Sequence, residues 1–223
     1  MHAQEPKTTP LKADLFGTVE LIEAGTQQDS AALVRRDTRP SRWWLRGLAR
    51  WLAAREAAAL ASAIGISAVP ELRYWKKGVL ERTWLEGKPM QVAQPRNPAY
   101  FRAALHLLRQ LHRAGIAHND LAKEPNWLVK PDGSPALVDF QLAWVSKKRS
   151  RIFRLLARED LRYLLKHKRT YCPQALSVRQ RNILATPGWL SRVWMASGKK
   201  VYLWLTRRVL GWEDREGAGD RNL

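Results

Sequence analysis

Cysteine is almost absent from this chain of 223 residues. The single thiol, Cys172, excludes an intrachain disulfide and suits a reducing compartment. An inert, partly buried thiol is a simpler reading of it than a nucleophile. Long apolar runs are missing too. The longest uncharged stretch, Ala57 to Pro70, is rich in Ala and Ser, and a bilayer-spanning helix takes ~20 apolar residues. The polar opening MHAQEPKTTPLKAD holds no signal-peptide core. The expected location is therefore the cytoplasm, with peripheral contact on the inner face of the cytoplasmic membrane allowed. Several chemistries are excluded by missing motifs. There is no H-E-x-x-H, no G-x-S-x-G, no cysteine cluster and no internal repeat, and His2, His106, His112, His118 and His167 do not pair at metal-ligand spacing.

Acid is scarce relative to base. Thirty-nine Lys+Arg against 20 Asp+Glu give a formal net charge of +19, with a pI near 10.8. Such an excess implies a polyanionic partner: nucleic acid, anionic lipid or a phosphorylated saccharide.

The most informative segment present is residues 111–144, LHRAGIAHNDLAKEPNWLVKPDGSPALVDFQLAW. A helix is expected before it. Asn97 can cap, Pro98 suits the first helical position, and Leu105, Leu108 and Leu111 recur before Gly115 stops the helix. Trp127 to Val129 and Ala136 to Val138 read as paired strands around the turn residues Pro131-Asp132-Gly133-Ser134. That hairpin brings Asn126 and Asp139 to strand ends close to Asp120. Phosphoryl transfer asks little covalent chemistry of a protein. It needs positioning, charge neutralisation and a carboxylate to orient the acceptor hydroxyl. Asp120 suits the last role. Asn126 and Asp139 supply the hard oxygen donors that Mg2+ takes alongside nucleotide phosphates.

The same segment resembles the catalytic loop and metal-binding strand of the protein-kinase-like superfamily. His118-Asn119-Asp120-Leu121 stands for His-Arg-Asp-Leu, and Asp139-Phe140-Gln141 for Asp-Phe-Gly. Asn126 falls six positions after Asp120, one more than the signature, so the loop carries an inserted residue. The resemblance implies ATP and Mg2+ as cofactors and an α+β, two-lobed kinase-like fold. A small N-terminal antiparallel sheet with one helix would precede a mostly helical C-terminal lobe. It also implies that Lys123 contacts the transferred phosphate, while His118 reads as a buried brace for the loop.

Upstream, Thr18 to Ile22 and Ser30 to Val34 are expected strands flanking Gly25, a weak candidate for a phosphate-covering turn since no G-x-G-x-x-G exists. By the resemblance, Arg35 occupies the place of the phosphate-holding lysine, with Glu56 as its helix partner. Guanidinium and ammonium are not interchangeable, so the substitution also supports a pseudokinase as an alternative. Val79 to Leu85 would form the strand and hinge meeting adenine, with Arg82, Thr83 and Trp84 as its cofactor-binding residues. The expected division is a flexible 1–14, an N-lobe at 15–86, a C-lobe at 87–212 and a flexible tail at 213–223.

After Gln141 the chain enters a basic stretch, Lys147 to Arg151, with no Ala-Pro-Glu triplet and little room for an activation loop. This resembles the minimal bacterial kinases, the RIO-type atypical serine kinases and the lipopolysaccharide core sugar kinases. The expected acceptor is a lipopolysaccharide-core sugar hydroxyl or a protein serine, with an RNA- or ribosome-associated RIO-type kinase as a further alternative.

Eleven tryptophans sharpen the partner question. Arg42, Arg46 and Arg50 make a basic stripe beside Trp44, Leu48, Trp51 and Leu52. Leu190, Val193, Trp194, Val201, Trp204 and Leu205 repeat the pattern near the C-terminus. Trp with Lys/Arg on an amphipathic helix suits the bilayer interface. Packing on the kinase core is the bland alternative. An RNA partner is less favoured, because no zinc-finger, helix-turn-helix or aromatic sheet platform accompanies the basic residues.

Overall fold

A computed structural model describes residues 7–23 and 31–186. Gly25 and the C-terminal amphipathic segment lie outside the described residues. The upper lobe is an antiparallel sheet of five strands, β1 (Thr8–Asp14), β2 (Gly17–Ile22), β3 (Leu33–Asp37), β4 (Leu72–Lys76) and β5 (Val79–Thr83), in the order β1-β2-β3-β5-β4. Local chemistry sets its hairpins. Lys77 and Gly78 both take positive φ, 52° and 85°, and close the tight β4–β5 turn. Gly17 has φ 123°, and a Cβ there would lie 2.0 Å from the Asp37 carbonyl oxygen, so no other residue fits.

Two expectations are corrected. Thr8–Asp14 is an ordered edge strand paired with β2 and not a flexible start; its residues are exposed and carry no core signal. The strand expected at Ser30–Val34 lies at Leu33–Asp37. Pairing on both sides, with β2 and β5, draws Arg35, Arg36 and Asp37 into the ladder.

Helix α1 (Arg46–Ser62) joins β3 to β4 and lays Ala49, Ala53, Glu56, Ala57 and Leu60 against the sheet. Spacing of three and four residues puts them on one face, and the alanines allow close approach. Its lead-in is pinned by Thr38, which donates to the Gly78 carbonyl (2.8 Å), and Ser41, which donates to the Thr38 carbonyl (2.6 Å).

The lower lobe is built on α3 (Pro98–Arg113) and α4 (Arg151–Tyr171), with short α2 (Met90–Ala93) before them and α5 (Val178–Ala185) after. Asn97 caps α3 by accepting from the Ala99 amide at 2.8 Å, with Pro98 opening the helix. Strands β6 (Lys88–Pro89), β8 (Trp127–Val129) and β9 (Pro135–Leu137) form a small sheet, while β7 (Ile116–Ala117) pairs with β10 (Trp144–Val145). Gly115 ends the α3 turn at φ 78°, where a Cβ would meet the Ser146 carbonyl oxygen at 2.7 Å.

One core spans both lobes. Leu60 from α1 packs in the same cluster as Met90, Leu108, Leu111, Trp127 and Phe140. Each such side chain contributes roughly 1.5–3 kcal/mol by leaving water, so the upper sheet is held over the lower lobe by burial. Cys172 is buried within this cluster. Among the described residues, no helix is long and apolar enough to cross a membrane.

Candidate functional site

The loop after β7 is shaped by contacts that reach across the lower lobe. Asp160, buried on α4, accepts from the amides of His118 (2.7 Å) and Asn119 (2.8 Å), and His112 approaches the same carboxylate at 3.3 Å. Asn119 takes φ 63°, a left-handed geometry that costs a non-glycine residue of order 1–3 kcal/mol and persists only where the surroundings hold it. His118 is buried. Its Nε2 donates to the Val138 carbonyl at 3.0 Å, which sets the tautomer since a carbonyl can only accept, and its ring lies 4.6 Å from that of Phe140. The histidine thus ties the loop to the segment that follows β9 and carries Asp139.

A 3-10 turn, Glu124–Asn126, closes the loop and places Asn126. Glu124 accepts from the Tyr171 hydroxyl at 2.6 Å, which anchors the turn to the end of α4. His167 supports the same region by donating from Nε2 to the Leu121 carbonyl at 2.8 Å; burial holds this imidazole below its ordinary range.

Three predicted residues come together there. Asn126 donates from Nδ2 to the Asp120 carboxylate (3.1 Å) and the Asp120 carbonyl (2.9 Å). Its backbone carbonyl accepts from the Val138 amide at 3.1 Å, next to Asp139. Asp139 has φ 65° and accepts from Gln141 Nε2 at 2.7 Å, so the residue replacing the usual glycine orients the carboxylate. Lys123 Nζ lies 3.1 Å from Asp120 Oδ2.

The two carboxylates are tuned in opposite directions. Burial pushes Asp120 above its ordinary value, opposed by the Lys123 ammonium and reinforced by the negative charge of Asp139. Burial alone would push Asp139 up as well. The guanidinium groups of Arg36 and Arg82, with the Gln141 hydrogen bond and His118, overcome it and hold Asp139 below its ordinary value.

The upper lobe requires a correction. Arg35 does not face Glu56; its Nε donates to Glu81 at 2.8 Å on the opposite face of the sheet. Side chains alternate along a strand, so the neighbour Arg36 points inward, with Nε 3.5 Å from Glu56 Oε2. Glu56 is fully buried and also accepts from Arg82. Arg82 was expected in the hinge; its side chain instead makes it the second cation of this cluster. Thr83 and Trp84 adjoin it, but their amides donate to the Glu71 carbonyl (3.0 Å) and the Ala32 carbonyl (2.7 Å). Those two amides are committed to the protein.

Sequence reasoning missed Arg36, Gln141 and Asp160. Arg36 adjoins Arg35 in the sequence, and only strand phase separates the two. Gln141 stood in the motif, unexplained. Asp160 lies 40 positions beyond Asp120 and carries no local signature.

No protein-family model matches the chain. No curated protein is similar to it in sequence. Among solved structures, it is similar to the Rio2 kinase of Chaetomium thermophilum, solved as an ADP/Mg2+-phosphoaspartate complex, with a TM-score of 0.51 and 16% identity over 87% of this chain and 67% of that one. The class is therefore an α+β protein of the protein-kinase-like fold. At this identity the likeness shows the fold alone. It lies with a RIO kinase and does not single out the lipopolysaccharide core kinases.

Proposed function

We propose that the chain is an ATP- and Mg2+-dependent phosphotransferase acting on a hydroxyl acceptor. The observation that carries this is the joining of Asp120, Asn126 and Asp139 beneath the upper sheet, with the two carboxylates tuned apart. Separation of paired titratable groups assigns acid–base and electrostatic roles. Asp120, raised toward proton-accepting competence, orients the acceptor hydroxyl and takes its proton. Asp139, kept ionised, and the side-chain oxygen of Asn126, whose nitrogen is turned to Asp120, are hard oxygen donors that fit Mg2+. Mg2+ when bound neutralises phosphate charge. Lys123 beside Asp120 adds a cation where the transferred group passes.

Arg36, and not Arg35, takes the phosphate-facing role above. Glu56 offers one negative charge to two guanidinium groups, and the surplus positive charge lies toward Asp139. With the Thr83 and Trp84 amides already engaged, an adenine base is met by the neighbouring backbone of Leu85 to Gly87. The fold likeness to an ADP/Mg2+-bound RIO kinase supports the nucleotide and the metal. The strongly basic composition favours a polyanionic acceptor, a lipopolysaccharide-core sugar before a protein serine, or an RNA-associated substrate.

Asp139→Asn tests the reading. Turnover of Mg2+-ATP should fall to background, with far-ultraviolet circular dichroism unchanged. Undiminished turnover would remove the metal assignment.

One observation favours a second reading, a pseudokinase. Arg36 and Arg82 neutralise the carboxylate that a metal needs, so the cluster is charge-balanced by itself. A thermal-shift titration with ATP separates the two. Stabilisation by ATP that Mg2+ does not change, with no transfer to candidate acceptors, selects the pseudokinase.

A further inference from the structure

Helix α1 carries apolar side chains on both its inner and its outer side. Its inner face is the alanine surface packed on the sheet. Its outer face carries Leu48 and Trp51, continued by Trp44 just before the helix, and all three are exposed. Trp43 is 83% exposed and Trp51 51%. An exposed apolar patch of this kind, rimmed by polar residues, marks an interaction surface.

The patch extends beyond the helix. The guanidinium of Arg55 lies 4.6 Å over the Trp51 ring and 5.9 Å from that of Trp144 on β10, and it donates to the Ala143 carbonyl at 2.8 Å. Two segments distant in sequence are thereby locked into one Trp-bearing surface.

Charge around this surface has one sign. No acidic residue occurs from Thr38 to Arg55, nor from Phe140 to Arg158. Arg42, Arg46 and Arg50 are exposed, and none forms an ion pair among the described residues. The basic run Lys147–Arg151 follows β10 directly. Indole rings suit the headgroup boundary, and unpaired arginines beside them meet anionic headgroups.

We propose that the outer face of α1, with Trp43, Trp44 and Trp144, docks the protein on an anionic bilayer surface. Charge complementarity selects this occupant over the chain's own residues 187–212, which carry five Lys+Arg and no Asp or Glu; the acids beyond them, four against two Lys+Arg, are confined to the short tail 213–223. A second copy carries the same net charge of +19 and would set the same arginines against each other across a two-fold contact. The inference does not depend on the phosphotransfer reading, since none of the docking residues belongs to the site around Asp120.

Sedimentation of the full chain with vesicles tests it. Vesicles of mixed phosphatidylglycerol and phosphatidylcholine should carry the protein down, and pure phosphatidylcholine should not. Added salt should weaken the binding. The triple change Trp43→Ser, Trp44→Ser, Trp51→Ser should lower partitioning by roughly tenfold or more. The charge reversal Arg42→Glu, Arg46→Glu should do the same through the electrostatic contribution, so the result does not hang on one folded variant. Both variants should keep the wild-type circular dichroism and Mg2+-ATP affinity. No binding to the anionic vesicles, or equal binding to neutral ones, overturns the proposal. So does sedimentation that survives both sets of changes, which assigns lipid contact to other residues. A dimer in solution that the tryptophan changes dissolve also overturns it, because a second copy then covers the face.

Discussion

The lower and upper halves of the site are built on different scales. The lower half draws Asp120, Asn126 and Asp139 from one loop and one hairpin, a stretch of chain that runs continuously past a single point. The upper half draws Arg36, Glu56 and Arg82 from a strand, a helix and another strand, which meet only because β3 and β5 pair and α1 crosses them. A contiguous motif carries its geometry in its spacing. A dispersed one depends on strand phase, where a shift of one residue turns a side chain to the other face of the sheet.

The largest effect is expected at the lower half. Asp120→Asn should reduce kcat by roughly a hundredfold or more, the scale on which a positioned proton acceptor contributes, with nucleotide affinity retained; steady-state kinetics with any acceptor that supports turnover checks it.

The upper half predicts a contrast between neighbours. Glu56→Ala leaves two guanidinium groups without their carboxylate in a buried setting and should cost about 3–5 kcal/mol of stability. Arg35→Ala removes a partly exposed pair with Glu81 and should cost under about 1 kcal/mol. Urea unfolding of both variants measures the difference. Equal losses would mean that the inward residue has been misassigned.

Asp160→Ala strips the acceptor from the His118 and Asn119 amides and should cost about 1–3 kcal/mol. It should also lower kcat more than it raises KM, because the loop bearing Asp120 loses its brace.

The smallest effect is in pH. Asp120 has a raised folded value, so the acid limb of kcat/KM should fall at a pH above the ordinary carboxylate value of 3.8. Asp139 works in the other direction: its depressed folded value gives stability that is present above 3.8 and is lost as the pH falls through the lower folded value. A pH–rate profile together with acid unfolding separates the two carboxylates.

Legibility in the sequence followed the same division. The α3 cap at Asn97, the turn at Pro131–Ser134 and the closeness of Asn126 to Asp120 were readable, because each rests on neighbours a few positions away. Strand β1 was not, since an exposed edge strand has no apolar period to display. Arg36 was hidden by its adjacency to Arg35, and Asp160 by its remoteness from the loop it holds. The exposed tryptophans of α1 were visible as residues, but their joining to Trp144 through Arg55 belongs to tertiary structure.

Cation binding at the lower half is the most direct test of the account. Free Mn2+, substituting for Mg2+, can be followed by electron paramagnetic resonance as protein and a non-hydrolysable ATP analogue are added. The wild type and Arg35→Ala should bind Mn2+ saturably, while Asp139→Asn and Asn126→Ala should lose that binding. Equal Mn2+ binding by all four proteins would contradict a cation held between the loop and the strand end.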